Sequence, residues 1–563
     1  MSWIRRIKKG NQIYLYECTS VWENGKTKSK MLRYLGVESD EVKVPKPISK
    51  RISRDRIFPD RSVQAGDVTL LWKIAEQLDI INVIDRYCMG FDHIDGPSPG
   101  KYATIWAINR IIDPESATQL DSWVRCTTLP DLAGMEAEDF SKDTFLRSLD
   151  SLCNEVKKSK RIISHIPAIE DQLYQNWRRI NPIQNQFPET IAFDLTAIPT
   201  FGETCPLAEL GSKSRITHQN QINLSILASK FDTYPIFQFI HPGSFHSIST
   251  VNDLIVRLKE FQIADATIVW DRGYTSKNEI LKIEEQGWKL ICGVPKRSKL
   301  VKELIAKIDP PIDPEHLVPT QEMNIYAVKV QNSIFKTNGS VVIYLNVDRR
   351  LKQIQTRNIT LKQISIDLEE LKNTCSKLNP NDLNERIKKI IGSKYYEFVQ
   401  YSVNSENSKI SFDYHLNLQA RIDAEQMDGK YILYSSDCSL SALDVVRIYF
   451  EKDYIEKVFR NLKSFEEIGP LRHRLETRVT AILFICTLAL RLKVALRTFL
   501  LRLNKKLEIS PEMLLKKLAR VQKVELWVDN NKEFWYVNIQ KKTLSILEDM
   551  GFETIFEGKI RAS

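Results

Sequence analysis

The sequence predicts an α/β protein. Its sheet-bearing region is preceded by a basic β-hairpin and a helical segment, and is interrupted by an insertion rich in strands. Three observations carry this expectation. The hydrophobic period changes from helical to alternating near residue 189. From there to about residue 300, strand-like and helix-like runs follow one another, the pattern of an α/β layer. Strand-like runs around a charged helical stretch then fill the interval to about residue 430, where the main pattern resumes. The predicted segments are 1–60 (hairpin and linker), 61–185 (helical), 186–300 (first part of the α/β domain), 301–430 (β-rich insertion), 431–500 (second part) and 501–563 (C-terminal and helical).

In chain order, QIYLYECTSVWENGKTKSKMLRYL (Gln12 to Leu35) has two alternating runs around Asn24-Gly25. That dipeptide tolerates positive φ at both positions, so it signals a hairpin. The hairpin carries Lys26, Lys28, Lys30 and Arg33, and the Pro/Lys-bearing stretch Lys43 to Arg56 reads as a linker. VTLLWKIAEQL (Val68 to Leu78) has helical spacing with Asp67 placed to cap it. KYATIWAINRII and DTFLRSLDSL continue the helical pattern, which suits either a helix-turn-helix or plain helical packing. IAFDLTAI, INLSILAS, YPIFQFIH, ATIVWD and WKLICGV read as strands; VNDLIVRLKEF and SKNEILKIEEQ read as helices.

Composition narrows the function classes. Of 563 residues, 43% are hydrophobic, enough for a sizeable core. Nine cysteines without a C-x-x-C pair indicate reduced thiols in a cytosolic protein rather than a disulfide framework or zinc ribbon. The N-terminus lacks the apolar core of a signal peptide, and the longest apolar run, Ala481 to Leu490, falls short of the ~18 residues of a membrane span. It reads as a buried helix in a soluble chain. No Walker A loop occurs, so ATP hydrolysis finds no support. Net charge is +10, and residues 1–56 alone hold 14 Lys and Arg against 6 Asp and Glu. Such a block suits a phosphate backbone, and equally a solvated tail.

Three acids stand at the ends of predicted elements. Asp194 lies in IAFDLT, Asp271 ends IVWD, and Glu456 lies on the helix-like stretch IYFEKDYIEKVFRNLKS, Ile448 to Ser464. Carboxylates are hard ligands that hold Mg²⁺, and a pair of such ions clamps the attacking and leaving oxygens of a phosphoryl displacement. Taken singly, each acid reads more readily as an ordinary strand-end or solvated residue. The helix adds weight. At about 100° per residue, Tyr449, Lys452, Glu456 and Lys463 share one stripe, with Ile448, Ile455, Val458, Phe459 and Leu462 on an adjacent apolar one. Lysines beside a catalytic carboxylate suit a polyanionic substrate.

The spacing Tyr449-x2-Lys452-x3-Glu456-x6-Lys463 resembles the Y-x2-R-x3-E-x6-K signature of a group of prokaryotic insertion-sequence DDE transposases. IAFDLTAI and VWDRGYTSKNEI resemble that family's first- and second-Asp segments. HPGSFHSISTV resembles the stretch between them, and RHRLETRVTAILFICTLAL the helix after the signature. The resemblance implies an RNase H-like catalytic domain with a catalytic, metal-binding triad of Asp194, Asp271 and Glu456. It implies two Mg²⁺ ions, with Mn²⁺ as a substitute, and DNA contacts from Tyr449, Lys452 and Lys463. Implied partners are double-stranded DNA, as terminal inverted repeats and target, and a second copy of the chain in a synaptic complex. No membrane is implied, and the expected place is the prokaryotic cytoplasm, on the nucleoid DNA. Lys452 departs from the family's usual arginine and lacks its planar fork; Ile482 stands where a histidine is frequent.

Arg272 suits phosphate contact or a turn; His473 and Arg478 suit DNA contact or a helix-start cluster. The eight histidines form no metal pattern, and His241 and His246 read as structural or surface residues. Trp270 reads as core. Two alternatives to a transposase stand at this point: a DNA-binding derivative that no longer cuts, and a metal-dependent nuclease that cuts without joining.

Overall fold

The computed structural model describes every residue except 1, 11, 24–25, 38–56, 89–97, 157–158, 184–188, 202–203, 212–218, 264, 320–323, 331–336, 376–377, 407–408, 453, 457–458, 461–470, 472, 504–508, 529–530, 553, 557–558 and 563. The chain divides into two compact units: residues 1–61 with 525–534, and residues 62–524 with 535–563.

In the first unit, the strands Ser2–Lys9, Gln12–Glu23 and Lys26–Val37 form an antiparallel sheet in that order. The second and third are the predicted hairpin, whose Asn24-Gly25 turn lies outside the described residues, as does the predicted linker. Pairing runs Val21↔Lys28, Thr19↔Lys30, Cys18↔Met31 and then Glu17↔Arg33, so Leu32 is an extra residue. Strand side chains alternate between faces, and a bulge skips one alternation. Arg33 therefore returns to the face of Lys26, Lys28 and Lys30. All four are exposed, and Arg33 pairs with Glu17 at 2.5 Å.

Among the described residues, the second unit opens with seven α-helices between Gly66 and Ile180, as the helical period predicts. The first, Gly66–Gln77, begins one residue before Asp67. Asp67 is therefore not the cap; it lies buried in the first turn, and burial raises its carboxyl to about 6.

A nine-stranded mixed sheet follows. Its order is Pro235–Pro242, Asn220–Ser229, Glu189–Pro199, Ala266–Trp270, Lys289–Val294, Lys430–Ser435, Ser340–Asn346 and Ile325–Val330, with Glu209–Leu210 paired beside Asn220–Ser229. Glu189–Pro199 is antiparallel to Asn220–Ser229 and parallel to Ala266–Trp270. Every residue of Ala266–Trp270 is buried, as expected of a parallel strand covered on both faces. Alternation divides the core. Val269, Ile291, Val342 and Leu433 pack with Val445, Val446 and Tyr449 of the helix Ala442–Glu451. Ile268, Trp270, Leu290 and Cys292 belong to a larger cluster with the long helix Glu476–Leu501.

That long helix contains the run Ala481 to Leu490. It is long and apolar enough to cross a membrane, yet 94% of its most apolar window is buried inside the fold. Arg491 sits on its buried side. Its guanidinium donates to Glu170 at 2.8 Å and to the carbonyls of Pro235 and Ile236 at 3.0 and 3.1 Å. Three elements, the long helix, the helix Ile166–Ile180 and the edge strand, thus meet at one ion pair.

The segment 301–430 differs from the β-rich insertion expected of it. Two of its strands extend the main sheet, but its largest element is the 28-residue helix Val347–Thr374. With the helix Pro380–Ile391, the hairpin Val399–Glu406/Lys409–Leu416 and the helix Leu418–Met427, it builds a hydrophobic core of its own. The apolar spacing of Leu361, Ile364, Leu368 and Leu371 on its long helix is what that core buries. The C-terminal segment is likewise not purely helical: it holds the strands Gln522–Val528, Asn531–Ile539 and Lys559–Ala562 beside two short helices. All nine cysteines are free.

Breaking the buried pair from one side leaves a charge without a partner. Glu170→Ala is expected to lower the unfolding free energy by about 3–5 kcal/mol, measured by urea denaturation with tryptophan fluorescence. Adding Arg491→Met should recover part of that loss.

Candidate active site

The site grows from strand register. The last parallel pair between the two central strands is Trp270↔Phe193, so Asp271 and Asp194 are the next residues along each strand. Neighbouring strands run about 4.8 Å apart, which sets the two acids side by side at the end of the parallel pairing. Trp270 and Phe193 are fully buried and fix both backbones there. Tyr274, in the short turn Arg272–Tyr274, packs on Phe193 at 5.3 Å and on Trp270 at 6.1 Å. Burial and then the charges of Asp194 and Asp271 hold its phenol well above the ordinary range, so it stays neutral beneath both carboxylates. The sequence signal for Tyr274 was its place three residues after Asp271, which alone reads only as a turn.

Asp271 has defined partners. The Tyr449 hydroxyl donates to its Oδ1 at 2.6 Å, and the Lys452 ammonium lies 3.6 Å from the same oxygen. Lys452 also stands over the Tyr449 ring at 4.8 Å. Burial by itself would raise the Asp271 carboxyl. Lys452, the Tyr449 hydrogen bond and Arg272 outweigh it, and the net position is below the usual carboxylate range. Asp271 is therefore ionised at neutral pH. The stability it contributes is present above the unfolded carboxylate range and is lost as pH falls through its folded value. Arg272 itself is exposed at the start of the turn.

The stripe predicted from one continuous helix does not persist past Lys452. The helix Ala442–Glu451 is capped by Lys452, and residues 454–456 form a separate helical stretch. The physical reason lies in the two cores. Val445, Val446 and Tyr449 belong to the cluster on one face of the sheet, whereas Ile455 and Phe459 are buried in the larger one. A straight helix cannot serve both, and the first helix ends at Lys452. Tyr454 anchors the new direction by donating to the Ala228 carbonyl at 2.9 Å. Glu456 is exposed, and among the described residues no hydrogen bond or ion pair joins it to either aspartate. Val458, Leu462 and Lys463 lie outside the described residues.

The two aspartates are adjacent hard-oxygen donors, and one is held ionised, so they fit a divalent cation. Among the described residues, no group of three or more acidic, His or Cys side chains forms a metal cluster.

Other predicted residues fall elsewhere. Arg478 forms a two-pronged pair with Asp150 at 2.8 and 2.7 Å, a structural commitment at the start of the long helix. His473 lies close by; burial, then Arg478 and Arg110, push it down to about 4, so it is neutral. Lys26, Lys28, Lys30 and Arg33 belong to the first unit and are described there. His241 is buried and stacks on Phe245 at 5.0 Å, a packing role. Gly293 carried no signal in the sequence. A Cβ there would lie 2.8 Å from the Tyr449 hydroxyl and 3.3 Å from the Arg272 amide.

That close approach makes a prediction. Gly293→Ala should cost about 1–3 kcal/mol through overpacking and should move Tyr449 off Asp271. Adding Tyr449→Phe removes the clashing hydroxyl, so a double-mutant cycle on thermal stability should show a penalty smaller than the sum.

A profile of the family described as Transposase DDE domain matches residues 185–492. A search of curated proteins found no match. Among solved structures, the piggyBac transposase synaptic complex with hairpin DNA is similar at 11% identity, covering 80% of this chain and 79% of that one, with a TM-score of 0.38. The family match spans more than half of the chain and takes in Asp194, Asp271 and Glu456: the chain belongs to the DDE transposases.

Proposed function

We propose that the protein is an insertion-sequence transposase of the prokaryotic group with the Y-x2-R-x3-E-x6-K signature. It binds the terminal inverted repeats of its element, hydrolyses the phosphodiester at each end and joins the freed 3′-hydroxyl to target DNA. The observation that carries this reading is the placement of Asp194 beside Asp271, with Tyr449 and Lys452 on the second acid. The strand order supports an RNase H-like catalytic domain: the first strand is central, between an antiparallel pair and two parallel strands.

Asp194 and Asp271, with Glu456 as the third acid, would hold Mg²⁺ or Mn²⁺. When bound, that cation supplies charge neutralisation at the phosphate and acidifies a coordinated hydroxyl. The chain's own groups do the rest. Tyr449 fixes the rotamer of Asp271 through its hydrogen bond. Lys452, paired with Asp271 here, is within side-chain reach of a phosphate placed at the same acid. Its single ammonium contacts phosphate as a point charge rather than as a fork. Tyr274 and the buried aromatic floor exclude water from below the carboxylates. The basic face of Lys26, Lys28, Lys30 and Arg33 would track a DNA backbone, and the helical region 61–185 would add DNA-binding or dimer contacts. Two copies in a synaptic complex, in the prokaryotic cytoplasm and without a membrane, complete the reading.

The test is an in vitro joining assay with labelled duplexes carrying the element ends, a plasmid target and Mg²⁺. Asp194→Asn, Asp271→Asn and Glu456→Gln should each reduce cleavage and joining by at least 100-fold or so, while duplex binding in a gel shift persists. Chelation by EDTA should do the same to the parent, with Mn²⁺ restoring activity. Cutting without joining would instead make the protein a nuclease. Equal cleavage by the Glu456→Gln protein and the parent would remove Glu456 from the site.

A further inference from the structure

A second feature of the larger unit is a cavity of about 850 Å³, walled by the helix Pro99–Ile112, the loop 114–119, the start of the long helix, and Leu471, His473, Arg474 and Leu475. Its lining is cationic: Arg110, Lys142, Arg474 and Arg478, against one lining carboxylate, Glu115. Arg478 is neutralised by Asp150. Among the described residues, Arg110, Lys142 and Arg474 have no ion-pair partner. Positive charge gathered in a concave wall focuses the field on whatever anion enters.

Two donors point to an occupant. Trp106 lines the cavity and is fully buried, yet its indole N–H has no acceptor among the described residues; the same holds for Nε of Arg110. A buried donor left unpaired costs about 1–3 kcal/mol, and such donors in a folded protein call for a ligand, ion or water. The wall is also preorganised. Buried Asn109 donates to the Asp113 carbonyl at 2.7 Å and accepts from the Glu115 amide at 3.0 Å, which fixes the loop. Ser116, Thr118 and neutral His473 add hydrogen-bonding groups without adding negative charge.

The cavity is tied to the catalytic strand. Leu471, in its wall, donates its amide to the Pro199 carbonyl and accepts from the Phe201 amide, both at 3.2 Å. Pro199 ends the strand that carries Asp194, roughly 17 Å of extended chain away. A polyanion crossing both places would pass from the cavity to the paired aspartates.

Building on the transposase reading, we propose that this cavity holds a phosphate-bearing nucleotide of the DNA strand that the aspartates cut. Arg110 and Arg474 take the phosphate, and the Trp106 N–H and the loop hydroxyls take the rest of the nucleotide. Its volume falls within the usual range for a site that encloses a small ligand. The shared chemistry is a nucleotide phosphate, and the source is DNA rather than a free nucleotide.

The experiment measures fluorescence anisotropy of a labelled element-end duplex over a salt series, for the full-length parent, Arg110→Gln, Arg474→Gln and the exposed Lys142→Gln. Thermal melts verify folding. Each arginine variant should bind roughly tenfold more weakly at low salt, and the slope of log affinity against log salt should fall by about 0.9 per lost phosphate contact. Asp194→Asn should leave the slope unchanged. Folded variants with parental affinity and slope would overturn the proposal while leaving the transposase reading intact. A parent that binds no duplex would sink the transposase reading. Calorimetry with inorganic phosphate and dAMP then separates the sources: binding lost in Arg110→Gln, with duplex affinity and salt slope unchanged in that variant, makes it a free-anion site and rules out the DNA occupant. Tight dAMP binding by a parent that also binds duplex, with no competition between them, would rule it out as well.

Discussion

The parallel pairing of Ala266–Trp270 with Glu189–Pro199 is the constraint on which the candidate site depends. It joins two strands that are 67 residues apart in sequence at the pair Trp270↔Phe193, and only this register puts Asp271 next to Asp194. A slip of one residue that put Asp271 in the place of Trp270 would turn the carboxylate into the larger core and move the indole to the opposite face. The fully buried Trp270 and Phe193 side chains make that slip costly. Packing therefore fixes the site before any charge acts there.

Electrostatics act second. Two neighbouring carboxylates repel, and the fold answers with Lys452 and Tyr449 on Asp271. Both come from the helix end packed against the other face of the sheet, and Gly293 leaves the space that lets them approach. The same helix end is where the chain changes core, because its apolar residues before and after Lys452 are buried on opposite faces. The turn that frees Lys452 to reach Asp271 also carries Glu456 away from a shared helical stripe. Geometry at this acid is decided by a competition between two hydrophobic clusters.

Positive charge is distributed over distinct features. In the small unit, a one-residue bulge at Leu32 gathers three lysines and an arginine on one face. In the larger unit, a loop pinned by buried Asn109 and the start of the long helix enclose arginines around donors that have no partner among the described residues. Neither arrangement follows from net charge. One depends on ladder register and the other on the meeting of segments more than 350 residues apart.

The sequence by itself determined the local layer: the basic hairpin, the helical region, the strands around Asp194 and Asp271, the buried character of Ala481 to Leu490, and the family to which the two aspartate segments belong. These are legible because alternation, helical spacing and turn dipeptides are properties of neighbouring residues. It also marked Tyr449 and Lys452 through their spacing on one helix face. Only the tertiary structure decided what meets what. The helix break after Lys452, the roles of Tyr274 and Gly293, the Arg478–Asp150 pair and the helical core of the 301–430 segment all arise from contacts between distant elements. Burial on one face of the sheet or the other is a long-range outcome, and helical periodicity over a few turns carries no information about it.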